Sequence, residues 1–258
     1  MKLLVCLKQV PDSTVRVKVG GDGLSIATDD IAWAISPYDE YAIELALEHK
    51  DGDPATTVSA VSVGPARARD ALRAALAMGC DDATLVTGAA AEGLGGLATA
   101  HVLGKIVAEA APDVVLCGRQ ASDDDQGFVG PALAEVLGWP HVSTVTKLAA
   151  KDGTLEVWKE VEGGHEVWNA PRPVVLTVQK SEKDPRYPSL PGIMKAKRKE
   201  ISEKDVATLA VDLASPAVEV RRLELPPSRG GGKILKDGAA DVIAEELVGL
   251  LRREAKVL

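Results

Sequence analysis

The chain has few residues of the kinds that build disulfide frameworks or metal sites. Cys6, Cys80 and Cys117 are odd in number, far apart and set in apolar or turn surroundings, so neither a disulfide framework nor a CxxC metal site is supported. They read as small buried hydrophobes. His49, His101, His141 and His165 show no HExxH or comparable spacing, and metal catalysis is not expected. No GxSxG elbow, Walker phosphate loop or GxGxxG fingerprint occurs, which removes the usual warrants for a hydrolase, a P-loop enzyme or a dinucleotide dehydrogenase. No stretch is apolar for long enough to span a bilayer, and the segment from Met1 to Lys8 is too short and too soon charged again for a secretory signal. A cytoplasmic protein with no direct membrane insertion is expected. Positive charge is short as well: the net charge of −8 removes the electrostatic term that dominates nucleic-acid binding, with Lys195, Lys197, Arg198 and Lys199 a local basic exception.

What the chain does have is alternation. Its 258 residues suit one large domain or a domain with an extension. Strands are expected at Leu3–Leu7, Thr57–Val63, Ala83–Val86 and Val114–Cys117, and helices at Glu40–His49, Ala66–Met78, Leu97–Ala110 and Pro131–Leu137. That order predicts right-handed crossovers and an α/β fold with a doubly wound, mainly parallel sheet. In the second helix Leu72, Ala75 and Leu76 share a face for packing.

After Gly138 the texture changes to period-two segments, Ser143–Leu148, Leu155–Val161 and Glu166–Trp168. They are joined by Asp152-Gly153 and Gly163-Gly164, which are hairpin signals. The run from Pro173 returns as a buried strand, so residues 1–180 form the α/β domain with an antiparallel hairpin extension over 143–180. Pro185, Pro188 and Pro191 bar regular structure from a segment at 181–200, which is expected to be a surface loop. Residues 201–258 read as an arm with a Pro226-Pro227 break and a Gly230-Gly231-Gly232 hinge. It ends in an amphipathic helix with Val242, Ile243, Leu247, Leu250 and Leu251 on one stripe, suited to packing on another surface.

The stretch from Asp113 to Gly130 runs strand, glycine turn, polar loop and helix start without interruption. Gly118 is expected to let the backbone turn, and the helix beginning at Pro131 offers N-terminal amides to a phosphate. Asp123, Asp124 and Asp125 would repel an anion unless they face away, cap the helix or bind sugar hydroxyls.

Cys6-Leu7-Lys8-Gln9-Val10-Pro11-Asp12, Ser36-Pro37-Tyr38-Asp39-Glu40, Val61-Ser62-Val63-Gly64-Pro65, Ala75-Leu76-Ala77-Met78-Gly79, the Gly118–Gly130 loop, Glu160 to Gly164, and Pro185 to Lys197 follow one another in a characteristic order. With that order, and above all with Leu190-Pro191-Gly192-Ile193-Met194-Lys195-Ala196-Lys197, the chain resembles the beta subunit of electron transfer flavoprotein essentially end to end. The resemblance implies a heterodimer whose alpha subunit holds most of one FAD, while beta holds AMP and lays its C-terminal arm over alpha. It implies no independent catalytic activity. The pair would carry electrons from flavin dehydrogenases, such as acyl-CoA dehydrogenases in fatty acid β-oxidation, to a quinone oxidoreductase. Only 3% of residues are Phe, Trp or Tyr, which agrees with a flavin that needs the partner.

By position, the resemblance puts the AMP site at Cys6, at Ser36, Pro37, Tyr38 and Asp39, at Val63, and through the loop of Gly118, Arg119, Gln120, Ala121, Ser122, Asp123, Asp124, Asp125, Gln126, Gly127, Phe128 and Val129. Tyr38 reads as a residue near the flavin or as packing at a helix start. Phe128 reads as a packed hydrophobe or as a ligand contact. Partner recognition falls to Pro185, Arg186, Tyr187, Leu190, Pro191, Ile193, Met194, Lys195 and Lys197, with Leu190 as the anchor. Glu160 matches a carboxylate that steadies the flavin domain of alpha.

The sequence departs from the family at Gln126-Gly127-Phe128-Val129, where typical members place polar Asn, Gln or Thr side chains near the phosphate. Val129-Gly130-Pro131 resembles instead the electron-bifurcating branch, whose beta subunit holds a second FAD in place of AMP; the Leu190–Lys197 block resembles the AMP-containing branch. Another class of adenine-nucleotide-binding module is the further alternative. Against it, Lys8-Gln9-Val10-Pro11 stands where ATP pyrophosphatases have a Ser-Gly-Gly loop, and no second glycine-rich loop lies between Gly118 and Gly138.

Overall fold

Val114, Val115, Leu116 and Cys117 are all buried, as their unbroken apolar run requires of a strand covered on both faces. The computed structural model describes residues 1–258 except 152, 214–217, 228–229 and 237, so Asp152 of the expected Asp152-Gly153 turn lies outside the described residues. Contacts divide the chain into two units, Met1–Arg222 and Leu223–Leu258.

The first unit opens with β1 (Lys2–Cys6), β2 (Gln9–Pro11), β3 (Trp33–Ile35), α1 (Pro37–Gly52) and β4 (Thr57–Val63). There follow α2 (Arg69–Met78), led by a 3-10 turn at Ala66–Ala68, then β5 (Asp82–Thr87), α3 (Gly96–Ala110), β6 (Val114–Gly118) and α4 (Val129–Leu137). The later elements are β7 (His141–Lys151), β8 (Thr154–Val161), β9 (Gly164–Ala170), β10 (Val174–Val178), α5 (Leu190–Arg198) and β11 (Ser202–Asp205). One sheet runs β11-β5-β4-β1-β6-β10-β7-β8-β9, parallel from β11 through β7 and antiparallel across β7, β8 and β9. β2 and β3 form a small antiparallel pair of their own.

From β1 the chain steps one way to β4 and β5, then returns to β6 and steps the other way. The strand order therefore reverses between β1 and β6. Leu3, Val5, Val58, Leu116 and Leu176 look toward α1 and α2, with Leu72, Ala75 and Leu76 buried as their shared face demands. Leu4, Cys6, Val115, Cys117 and Val175 look toward α3 and α4. These two apolar layers make the doubly wound α/β fold that the alternation predicts.

Three expectations are corrected. The segment at 181–200 contains α5, because Ser189 caps it by accepting from the Gly192 N–H at 3.1 Å, and Pro191 falls in the first turn where its missing N–H costs nothing. The arm does not begin at residue 201: Ser202–Asp205 pairs with β5 as an edge strand, and the second unit starts at Leu223. Gly118 does not make the turn itself. It ends β6 with strand backbone, and a Cβ there would lie 2.5 Å from Asp39 Oδ1 and 2.7 Å from Asp39 N, so the glycine is required by close approach.

The second unit holds α6 (Ala240–Leu250), extended by one wider turn at Leu251–Ala255. None of the residues of α6 is buried, and Val242 and Leu247 present open apolar surface.

Candidate functional site

A cavity of about 610 Å3 opens at the carboxyl ends of β1, β4 and β6, where the strand order reverses. Open parallel sheets collect ligands at this point, because the chain leaves adjacent strands in opposite directions and parts the loops above them. Cys6, Asp39, Val63 and most of the loop from Gly118 to Val129 line it. Ser36, Pro37, Tyr38, Ser122 and Asp125 stand outside the lining. Ser36 is buried, and its Oγ accepts from the Ser122 N–H at 3.3 Å, tying the loop to the start of α1. Pro37 and Tyr38 form the first turn of that helix.

Asp39 joins the two strands on either side of the reversal. Its Oδ2 accepts from the Lys8 N–H at 2.7 Å and its Oδ1 from the Gly118 N–H at 2.8 Å. Burial pushes the carboxyl up to about 7, against the pull of these two donors and of the Lys8 charge.

The loop aspartates are paired. Lys8 Nζ donates to Asp123 Oδ1 at 2.8 Å and to Asp124 Oδ2 at 2.9 Å. Burial works against its ammonium, yet these carboxylates hold its pKa above the usual lysine value. Asp125 Oδ1 accepts from Gln120 Nε2 at 2.9 Å, and Asp124 Oδ1 takes the Gln126 N–H at 3.2 Å. Arg119 Nη1 donates to Gln179 Oε1 at 2.9 Å.

Beyond the loop, α4 begins with no side-chain cap on its first turn, and Val129 and Gly130 line the cavity. Uncapped first-turn amides carry the positive end of the helix dipole, the electrostatic requirement for holding an anion. Phe128 is the N-cap residue, 47% exposed at the cavity wall, so it is not packed beneath the loop.

The cavity continues to residues outside the site that the resemblance implies. Lys8 and Gln9 follow β1, Pro65 and Arg67 follow β4, and Trp33 comes from β3. The Arg67 guanidinium lies 4.2 Å from the Trp33 ring centroid, and Gln9 Nε2 donates to the Arg67 carbonyl at 2.9 Å. Trp33 and Arg67 are far apart in the chain, and no short motif links them; the only available signal was the position of Arg67 just past a strand end.

Away from the cavity, Tyr187 is 95% and Leu190 81% exposed, with Met194 and Ile193 beside them on α5. Pro185 is half-buried, and Arg186 turns inward to Glu44. Pro191, Lys195 and Lys197 are exposed on α5, the lysines in its last turn where they complement the helix dipole. Lys199 folds back, its ammonium donating to the carbonyls of Cys80 and Asp81 at 2.8 and 2.6 Å. Glu160 is exposed on β8 and accepts from Gln179 Nε2 at 2.8 Å.

A doubly wound sheet with a built cavity and an open helix N-terminus at its switch point defines a ligand-binding α/β protein. Residues 23–209 match the family model described as the electron transfer flavoprotein domain. The chain is 40% identical over 259 residues to the electron transfer flavoprotein subunit beta of Bradyrhizobium diazoefficiens, covering 100% of both chains. Over 263 residues it is 38% identical to the subunit of that name from Bacillus subtilis, again covering 100% of both, and 36% over 247 residues to the one from Homo sapiens, covering 95% of this chain and 96% of that one. The chain belongs to the electron transfer flavoprotein family, as a beta subunit. That membership carries an electron-transfer role, association with flavin and an alpha subunit as partner. Among the described residues no helix is long and apolar enough to cross a membrane.

Proposed function

We propose that the chain holds AMP in this cavity as a structural ligand and, with its alpha subunit, encloses one FAD whose contacts come mostly from alpha. Bound FAD supplies the electron-carrying chemistry, and this chain has no catalytic turnover of its own. The observation that carries the reading is the uncapped N-terminus of α4 facing a cavity at the sheet's switch point. Val129 and Gly130 would receive the phosphate through backbone N–H groups, which accounts for the loss of polar side chains at Gln126–Val129. Lys8 pairs with both Asp123 and Asp124 and offsets half of their charge, so it weakens the loop's repulsion of the anion.

On the same reading, Leu190 and Tyr187 dock into flavin dehydrogenases such as acyl-CoA dehydrogenases, and the heterodimer passes electrons to a quinone oxidoreductase. Glu160 faces the flavin domain of alpha. A second reading, FAD in place of AMP as in bifurcating members, is favoured by the extent of the cavity beyond the loop to Gln9, Trp33 and Arg67. Mass spectrometry and flavin absorption of the denatured alpha–beta heterodimer test both. One AMP and one FAD per pair are expected, two FAD with no AMP would select the second reading, and FAD without any second adenine nucleotide would overturn both.

A further inference from the structure

Two of the three cysteines meet in the cavity floor. Cys6 ends β1, Cys117 lies in the adjacent parallel strand β6, and the two are register partners. Both side chains belong to the apolar layer on the α3–α4 side, both are buried, and both line the cavity. Cys80 belongs to the opposite layer, under α1 and α2.

We infer that Cys6 and Cys117 form a vicinal dithiol site that takes a trivalent arsenical, with one arsenic bridging both sulfurs. Neighbouring parallel strands lie about 4.8 Å apart, and register partners leave the sheet side by side. A direct disulfide needs Cβ atoms about 3.5–4.5 Å apart, so the strands would have to close on each other. An inserted atom bonded to both sulfurs spans the gap without moving the backbone.

The surroundings select this chemistry over others. No further His, Cys, Asp or Glu joins the pair to make a metal-sized cluster among the described residues. The neighbouring Cys6 and burial hold the Cys117 thiol well above its usual pKa, so it stays protonated and is a poor target for reagents that need a thiolate. With an arsenoxide, two As–S bonds form and the As=O oxygen leaves as water with the two thiol protons. Arsenic keeps its oxidation state, and the product is neutral, as an apolar floor requires.

The test uses the alpha–beta heterodimer, freed of nucleotide and treated with phenylarsine oxide, with the mass of the beta chain as readout. The expected product is one phenylarsenic bridge per beta chain that persists in excess 2-mercaptoethanol and is removed by 2,3-dimercaptopropanol, since only a second dithiol matches the chelate. Cys80→Ser should behave as the parent, and Cys6→Ser and Cys117→Ser should each lose the monothiol-resistant adduct. A folded parent that remains unmodified would overturn the inference, as would an adduct mapped to Cys80 or one that survives in either of the other two variants. AMP, once shown to be bound, should slow the reaction; an equal rate in its presence would remove the dithiol from the cavity floor.

Discussion

Arg186 lays its guanidinium flat against the carboxylate of Glu44, with Nε donating to Oε2 at 2.8 Å and Nη2 to Oε1 at 2.9 Å, while its own backbone N–H donates to the same Oε2 at 2.9 Å. The Glu44 side chain is only 5% exposed, and Asp51 takes a further bond from Nη2 at 2.8 Å. A helix face of α1 thus grips the chain one residue before Tyr187. At the other end, Arg73 Nη1 donates to the Lys199 carbonyl at 2.5 Å, and Gly192 packs so closely on Ala77 that a Cβ would lie 2.6 Å from its carbonyl oxygen. Between these fixed points Tyr187 and Leu190 face solvent on a short, stiff segment. Stiffness of this kind reduces the ordering cost of docking.

Removing the guanidinium leaves a buried carboxylate with no cationic partner and only the backbone N–H of residue 186 as donor. Arg186→Met should lower unfolding stability by roughly 3 kcal/mol. Arg186→Lys should lie between this variant and the parent, because an ammonium cannot reproduce the two-pronged contact. Urea denaturation checks this: the midpoint should fall while the slope stays the same.

Leu190 and Tyr187 make the opposite prediction. Leu190→Ala should leave the urea midpoint within ~0.5 kcal/mol of the parent, as an exposed side chain gives up little on truncation. Burying one leucine in a partner's pocket is worth about 1.5–3 kcal/mol, so the KM of an acyl-CoA dehydrogenase for the heterodimer should rise roughly tenfold or more with kcat little changed. Tyr187→Ala should act in the same direction. An unchanged KM in both variants would remove this segment from docking.

Much of the fold was legible because its strands are covered on both faces: Val114–Cys117 reads as an uninterrupted apolar run, and in Thr57–Val63 only small hydroxyl residues, Thr57, Ser59 and Ser62, interrupt the valines and alanine. The misses have separate physical causes. Ser202–Asp205, reading Ser-Glu-Lys-Asp, sits at the sheet edge where polar side chains are tolerated, so it carries no hydrophobic signal. In α5, three prolines nearby masked a helix whose start, Ser189 followed by Leu190 and Pro191, is itself a capping pattern. The loop end of the cavity was visible as strand, loop and helix start. Its far end, where Arg67 meets Trp33, depends on a tertiary contact that no local pattern encodes.

Gly130 tests how tightly α4 must approach the sheet. A Cβ there would run into Cγ2 of Thr177 on β10, so Gly130→Ala should push the helix start outward at a cost of about 1–3 kcal/mol. Because the displaced turn carries the proposed phosphate amides, the nucleotide retained through purification should drop along with the thermal midpoint. Gly138→Ala, where nothing lies within 4 Å of the added carbon, supplies a contrast: its cost comes only from its left-handed backbone, and nucleotide content should hold.

Asp39 links stability to pH in a definite direction. Its carboxyl ionises near 3.8 when exposed and at about 7 in the folded chain, so between these values the native state keeps a proton that the unfolded chain has lost. The stabilisation is complete below 3.8 and is lost as pH rises through 7, with a slope of up to about 1.4 kcal/mol per pH unit. Asp39→Asn does not titrate, so the stability of the parent relative to this variant should fall from pH 4 to pH 7 and level off above. The variant should also be less stable below pH 4, since an amide nitrogen cannot accept from the Lys8 or Gly118 N–H. Denaturation of both proteins across that range checks the sign.

Lys8 should matter for the ligand more than for the fold. Its ion pairs with Asp123 and Asp124 are partly exposed, and pairs of that kind contribute about 0–1 kcal/mol, so Lys8→Met should unfold near the parent midpoint. The ligand meets a different field. Without the ammonium, two carboxylates of the loop lie unneutralised on the cavity wall, and their repulsion of a phosphate should cut nucleotide affinity by roughly tenfold. Salt distinguishes this cause from simple loss of shape. As ionic strength rises to 1 M the Debye length shrinks to about 3 Å, the repulsion is screened, and the affinity of Lys8→Met should recover toward that of the parent. Binding of AMP to the refolded heterodimer, measured at low and high salt, gives the result; a deficit that does not change with salt would mean that Lys8 shapes the loop and does not set its charge.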